Sequence, residues 1–238
     1  MRCRGYVTLR ISKHGHNLLF DGDIMNKAVI FDLDGTLIDS MGGIADAVNE
    51  TRKLYNLPPQ EKELIKSFIG NGVRKLIERS FALDNSDIPL DDAVDAMVKI
   101  YGADPVAGTF LYDGVKETLT ELKKNNWLLA VVSNKPQTAS EKILTALDIR
   151  KFFAENIGGG GNFPLKPAPD AMNHLLEKYH IRKENCFVAG DNYTDIDFAA
   201  NTGTKSIFCS WGFGYVGNNP ATFTAKNFPE IRKIVSEN

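Results

Sequence analysis

Five short apolar runs, at residues 28–31, 127–132, 155–158, 186–189 and 206–209, constrain this chain more than any other feature. Each has the length of one strand and falls far short of the ~20 apolar residues of a membrane span. Four of them are continuous rather than alternating, the pattern of strands covered on both faces. Between them Val115, Leu119 and Leu122, then Ile143, Leu144 and Leu147, then Met172, Leu175, Leu176 and Tyr179 recur at the i, i+3, i+4 spacing of a buried helical stripe. Strand and helix in alternation predict an α/β fold, a doubly wound parallel sheet with right-handed crossovers.

The first crossover breaks the rule. About 95 residues separate Phe31 from Trp127, where one connecting helix needs ~10–15. Residues 41–107 read as helical throughout, with apolar stripes at Ile44, Val48 and Leu54, at Leu64, Ile65 and Phe68, at Val73, Leu76 and Ile77, and at Val94, Met97 and Val98. Pro58-Pro59, Gly70-Asn71-Gly72, Pro89 and Pro105 punctuate them. The expected organisation is a core of residues 25–40 and 108–238, with a small all-helical cap, 41–107, inserted after the first strand. Met25 would make a natural start, so residues 1–24 read as an N-terminal extension, a tag-like remnant or a misassigned start, of unknown role. The His14 and His16 pair there has no third ligand nearby and reads as an exposed tail.

Composition narrows the partners. The 28 basic and 30 acidic side chains of this 238-residue chain leave a net charge of −2, so no overall field draws nucleic acid or an anionic membrane to it. The N-terminal stretch lacks the uninterrupted apolar core of a secretory signal, which makes the cytoplasm the expected location. Cys186 and Cys209 each sit in an apolar run, as buried reduced thiols do.

Polar residues follow the strands. The first run ends in Phe31-Asp32-Leu33-Asp34-Gly35-Thr36, where alternation sets Asp32 and Asp34 on one side of the chain at the carboxyl end of a strand. Two such carboxylates repel unless a cation lies between them, and a hard ion with oxygen ligands, Mg²⁺ above all, resolves the conflict. The second run passes into Ser133-Asn134-Lys135-Pro136, a strand end with hydroxyl and amide donors suited to phosphate oxygens. Lys166 lies between prolines in Pro164-Leu165-Lys166-Pro167, which fixes one ammonium in place. The fourth run ends in Gly190-Asp191, with Asp195 one helical turn on, placed to support Asp191 or Lys166 and to meet the positive end of a helix.

In this order, DLDGT, VVSNK, LKPAPD and GDNYTD resemble the four motifs of the haloacid dehalogenase-like phosphohydrolases, over residues 27–237. Within them the chain looks most like phosphoglycolate phosphatases with a helical cap. The resemblance implies Asp32 as nucleophile and Asp34 as acid and base. It implies Ser133, Asn134 and Lys166 around the phosphate, and Mg²⁺ held by Asp32, Asp191 and the Asp34 backbone carbonyl. It also implies that Gly70, Asn71, Gly72 and Arg74 form the cap's entrance to the substrate. Lys66, Arg74, Lys75 and Arg79 against Glu78 predict a local positive excess there, attractive to a small acidic phosphomonoester. A sugar phosphomutase of the β-phosphoglucomutase kind, a pyrophosphatase, a nucleotidase and, from another class, a silent phosphate-binding regulator remain open. So does the choice between monomer and homodimer.

Overall fold

The computed structural model describes residues 27–84 and 88–238. The 1–24 segment, with Cys3, His14 and His16, lies outside the described residues. In chain order the elements are β1 (Ala28–Phe31), β2 (Ile38–Asp39), α1 (Met41–Leu54), α2 (Lys62–Lys66), α3 (Val73–Ala82), α4 (Leu90–Ala103), β3 (Phe110–Leu111), α5 (Val115–Lys124) and β4 (Leu128–Pro136). They continue with α6 (Gln137–Ala146), β5 (Glu155–Gly159), α7 (Asp170–Lys178), β6 (Cys186–Gly190), α8 (Tyr193–Thr202), β7 (Lys205–Cys209), β8 (Phe223–Ala225) and α9 (Phe228–Glu237).

Six strands make one parallel sheet in the order β5-β4-β1-β6-β7-β8. The strands are apolar without interruption because both faces are covered. Val29, Phe31, Leu129, Val131, Phe187 and Ala189 pack against α5, α6 and α9. Their neighbours Ala28, Ile30, Leu128, Ala130 and Val188 face α7 and α8. This is the predicted doubly wound α/β sheet. The chain leaves β1 toward β4 on one side and later places β6 on the other. The carboxyl ends of β1, β4 and β6 therefore stand side by side at the point where the strand order reverses, the usual place for a ligand in such sheets.

Helices α1 to α4 form the helical cap, built on Ile44, Ala45, Val48, Ile65, Leu76, Ile77, Phe81 and Met97. The buried stripe differs from the predicted one at three positions: Leu54, Leu64 and Val98 are exposed. On α1 the stripe continues through Thr51 and Arg52, and Leu54 lies off it. Arg52 is 1% exposed and serves as a polar staple. Its guanidinium donates to the carbonyls of Pro58 (2.8 Å) and Ser80 (2.7 Å) and pairs with Asp84 (2.8 Å).

Two features had no counterpart in the sequence reading. Strand β8 lies at one edge of the sheet, and β2 pairs antiparallel with β3 in a ribbon joining Ile38 to Leu111 and Asp39 to Phe110. The ribbon stands where the chain enters and leaves the cap.

Candidate active site

Strand β1 delivers Asp32, strand β6 delivers Asp191, and the first turn of α8 delivers Asp195. One carboxylate oxygen of each lies within 4.8 Å of the other two. Close approach is possible because glycines stand around them. A Cβ on Gly35, whose φ of +82° already suits glycine, would collide with the Asp191 carboxylate, and one on Gly190 would collide with Asp195.

Lys166 is the fixed counter-charge. Its ammonium lies 2.8 Å from Asp32 Oδ1 and 2.6 Å from Asp195 Oδ1, in a side chain 3% exposed. Burial alone would push this lysine toward its neutral form, but Asp195 and Asp32 outweigh that and raise it, so it is charged throughout the physiological range. The Asn134 side chain holds the loop that carries it: Oδ1 accepts from the Lys166 N–H (2.8 Å) and Nδ2 donates to the Lys166 carbonyl (3.1 Å). Nδ2 also donates to the Gly70 carbonyl of the cap (2.9 Å). The amide of Asn134 is thus committed to protein partners. Ser133 is buried beside it, its Oγ accepting from the Lys135 N–H at 3.3 Å.

Asp195 has two tasks. Besides pairing with Lys166, its Oδ2 accepts from the Asn192 N–H (3.1 Å) in a capping box at the start of α8. Asp191 receives Thr36 Oγ1 on Oδ1 (3.2 Å) and the N–H groups of Phe213 (2.7 Å) and Gly214 (3.0 Å) on Oδ2. These donors do not compensate its surroundings. Burial, then Asp32 and Asp195, push the Asp191 carboxyl up to about 8. Burial, partly offset by Lys166, pushes Asp195 up to about 6. Such shifts mark negative charge in excess of what the side chains neutralise.

Asp34 stands apart from this group. Its carboxylate accepts from Lys135 Nζ at 2.8 and 3.1 Å and from Ser40 Oγ, and its backbone bridges to Ile38. Sequence reading gave Lys135 and Ser40 no role. Lys135 lies on the last part of β4, where the pairing with β5 is irregular between Val132 and Pro136, so simple alternation did not point to it.

A cavity of about 80 Å³ opens between these strand ends and the cap. Gly70 and Gly72 line it, while Asn71 donates to the Tyr193 hydroxyl (2.6 Å) and fastens the cap loop to the core. The cap wall is Ile69, Val73, Leu76, Met97 and Tyr101, and the predicted basic entrance is corrected by this arrangement. Arg74 is exposed, pairs with Asp91 at the start of α4, and does not line the cavity. Lys66 and Lys75 pair with Glu63 and Glu78, and Arg79 donates to the Phe68 carbonyl (3.1 Å). Three of the four basic side chains thus have acidic partners, and none of the four lines the cavity. An Arg74→Ala variant should therefore keep kcat/KM within about twofold of wild type, as expected for an exposed ion pair. Steady-state kinetics on the best substrate would check this.

A capped α/β sheet that gathers three carboxylates and a buried lysine at its switch point defines a site suited to a cation and an anionic ligand. The chain belongs to the haloacid dehalogenase-like hydrolases, whose family model matches residues 29–209. It is 32% identical over 219 residues to a phosphoglycolate phosphatase of Mannheimia succiniciproducens, covering 88% of this chain and 98% of that one. It is 33% identical over 209 residues to the Escherichia coli phosphoglycolate phosphatase, covering 79% and 83%. Among solved structures, a predicted phosphoglycolate phosphatase from Haemophilus somnus superposes with a TM-score of 0.81 at 28% identity, covering 90% of this chain and 99% of that one.

Proposed function

We propose that this protein is a Mg²⁺-dependent phosphatase of small phosphomonoesters, with 2-phosphoglycolate as its substrate and an aspartyl-phosphate on Asp32 as its intermediate. The observation that carries the reading is the Lys166 ammonium lying between Asp32 and Asp195 at the switch point of the sheet. The relatives' activity supplies the substrate.

The donor set fits a hard divalent ion. Asp32 Oδ1 is buried with the Lys166 ammonium 2.8 Å away, and the carboxylate keeps lone pairs free for a cation. At the neighbouring Asp191, burial, Asp32 and Asp195 disfavour the ionised form, a penalty that a bound cation would relieve. Asp32, Asp191 and the Asp34 backbone carbonyl would hold Mg²⁺. When bound, the ion supplies positive charge against the phosphoryl oxygens.

The side chains then divide the work. An Asp32 oxygen attacks phosphorus, the bond from phosphorus to the leaving oxygen breaks, and Asp34 gives that oxygen a proton. Water next attacks the aspartyl-phosphate, Asp34 takes its proton, and inorganic phosphate leaves with Asp32 restored. Lys166 lowers the repulsion between the Asp32 carboxylate and the phosphate dianion, and Ser133 binds a transferring oxygen. The cap excludes bulk water while this happens.

The test is a phosphate-release panel ranked by kcat/KM. It would span 2-phosphoglycolate, pyrophosphate, nucleoside monophosphates, sugar phosphates and simple alkyl phosphates, with glucose 6-phosphate formation followed for β-glucose 1-phosphate. The proposal expects 2-phosphoglycolate at the head. A rank about tenfold lower, or 1.4 kcal/mol of transition-state binding, overturns the substrate. Release from no compound overturns the activity, and glucose 6-phosphate as main product makes the protein a mutase. One observation favours a second substrate class: the apolar wall of Ile69, Val73, Leu76 and Met97 suits an uncharged leaving group.

A further inference from the structure

Lys135 is the buried cation that the chemistry above leaves without a task. Its side chain is 3% exposed, on β4 two residues beyond Ser133. Its ammonium has three hydrogens and three close acceptors: Asp34 Oδ1 at 2.8 Å, Asp34 Oδ2 at 3.1 Å, and the Tyr101 hydroxyl at 2.6 Å. Tyr101 belongs to α4 of the cap, and its own hydroxyl donates to the Pro105 carbonyl (3.3 Å), on the segment that returns from the cap to the core. One donor direction goes to the Asp34 carboxylate, whose two oxygens a single hydrogen can serve, and another to Tyr101, so the closest contacts of Lys135 lie within the protein.

These contacts fit a role in orientation. A carboxylate beside a cavity turns freely about its last two bonds unless donors hold it, and proton transfer requires it within hydrogen-bond reach of one particular oxygen. Ser40 and Lys135 supply those donors from two different elements. The Lys135 link continues into the cap, so the carboxylate is fully tethered when the cap is seated. The geometry points to Lys135 as a positioning residue that aims Asp34 at the leaving-group oxygen and, through Tyr101, ties that aim to the seated cap. This rests on the reading of Asp34 as acid and base in a phosphatase.

The experiment separates leaving groups. An alkoxide such as that of 2-phosphoglycolate needs a proton as it departs, whereas p-nitrophenolate departs without one. Because kcat/KM reports events up to leaving-group release, it isolates the step in which Asp34 acts as acid. Lys135→Met should lower kcat/KM about 100-fold for 2-phosphoglycolate and less than about fivefold for p-nitrophenyl phosphate. Tyr101→Phe, which removes one hydroxyl, should shift the ratio of the two in the same direction by about five- to tenfold. It serves on its own if circular dichroism shows that Lys135→Met does not fold. Because Lys135 acts through Asp34, adding Lys135→Met to Asp34→Asn should cost nothing further.

Equal losses on both substrates, or additive losses in the double variant, overturn the assignment. If wild type hydrolyses p-nitrophenyl phosphate but not 2-phosphoglycolate, the proposed substrate falls. The comparison then decides the role of Lys135 with the best alkyl phosphate of the panel. A wild type that hydrolyses no phosphomonoester removes the phosphatase reading and this role with it.

Discussion

An Asp32→Asn variant is expected to lose about 10⁴-fold or more in kcat, equivalent to roughly 5.5 kcal/mol, because the amide offers no anionic oxygen to form the phosphoenzyme. The fold should not pay for the change. In the metal-free protein Asp32 repels Asp191, and the amide removes one of the charges that raise it. Lys166 keeps Asp195 as its partner at 2.6 Å. Thermal unfolding of the metal-free variant should therefore match or exceed wild type. Full activity in this variant would remove the nucleophile from the proposal, whereas loss of activity together with collapse of the fold would show that Asp32 is needed mainly for structure.

The second large effect is the pH dependence of metal binding. The Asp191 carboxyl titrates near 3.8 when unfolded and is pushed up to about 8 in the metal-free fold, burial being the main cause and Asp32 and Asp195 adding to it. Between those values the folded state binds a proton that the unfolded state has released. This contribution to stability is therefore present at low pH and is lost as pH rises from about 4 through about 8. Mg²⁺ must displace the same proton. Its apparent affinity should strengthen about tenfold per pH unit from 6 up to 8 and then level off. Below about 6, Asp195 also holds a proton, which further changes the charge around the site. Differential scanning fluorimetry with and without Mg²⁺ at pH 5.5, 7 and 8.5 should show a shift in Tm that grows with pH. Asp191→Asn should abolish that shift, and a shift independent of pH would show that the ion binds elsewhere.

How much of this was legible depends on the range over which each signal acts. The strands of the sheet core were readable because burial on both faces leaves continuous apolar runs, and β1, β4, β6 and β7 fall on them. Asp32, Asp191 and Lys166 were readable for a related reason, each being a charged residue at the end of an apolar run or in a loop stiffened by proline, and Asp195 from its spacing one helical turn after Asp191. The two-residue strands β2 and β3 and the three-residue edge strand β8 carry too few side chains for any pattern to appear.

The cap charges misled for a different reason. Net charge counted along α3 takes in neighbours in sequence, whereas Arg74 finds Asp91, 17 positions away on α4. Lys135 was hidden by proximity to a stronger signal. The apolar run ends at Val132, so the residues after it read as a loop, although the strand continues through Pro136. Which atoms Asn134 would satisfy was equally beyond one-dimensional reading, since its partners come from residues 70 and 166.

The ribbon of β2 and β3 has a consequence for how such an enzyme diversifies. The outgoing and returning chains lie side by side, with Ile38 opposite Leu111 and Asp39 opposite Phe110. Paired antiparallel strands stand only about 5 Å apart, a gap that a two-residue turn can bridge. Everything between them is therefore a module on two adjacent threads, and lengthening, shortening or exchanging it leaves the ends of the catalytic scaffold where they were. Selectivity can drift in one part of the molecule while the reaction stays constant in the other.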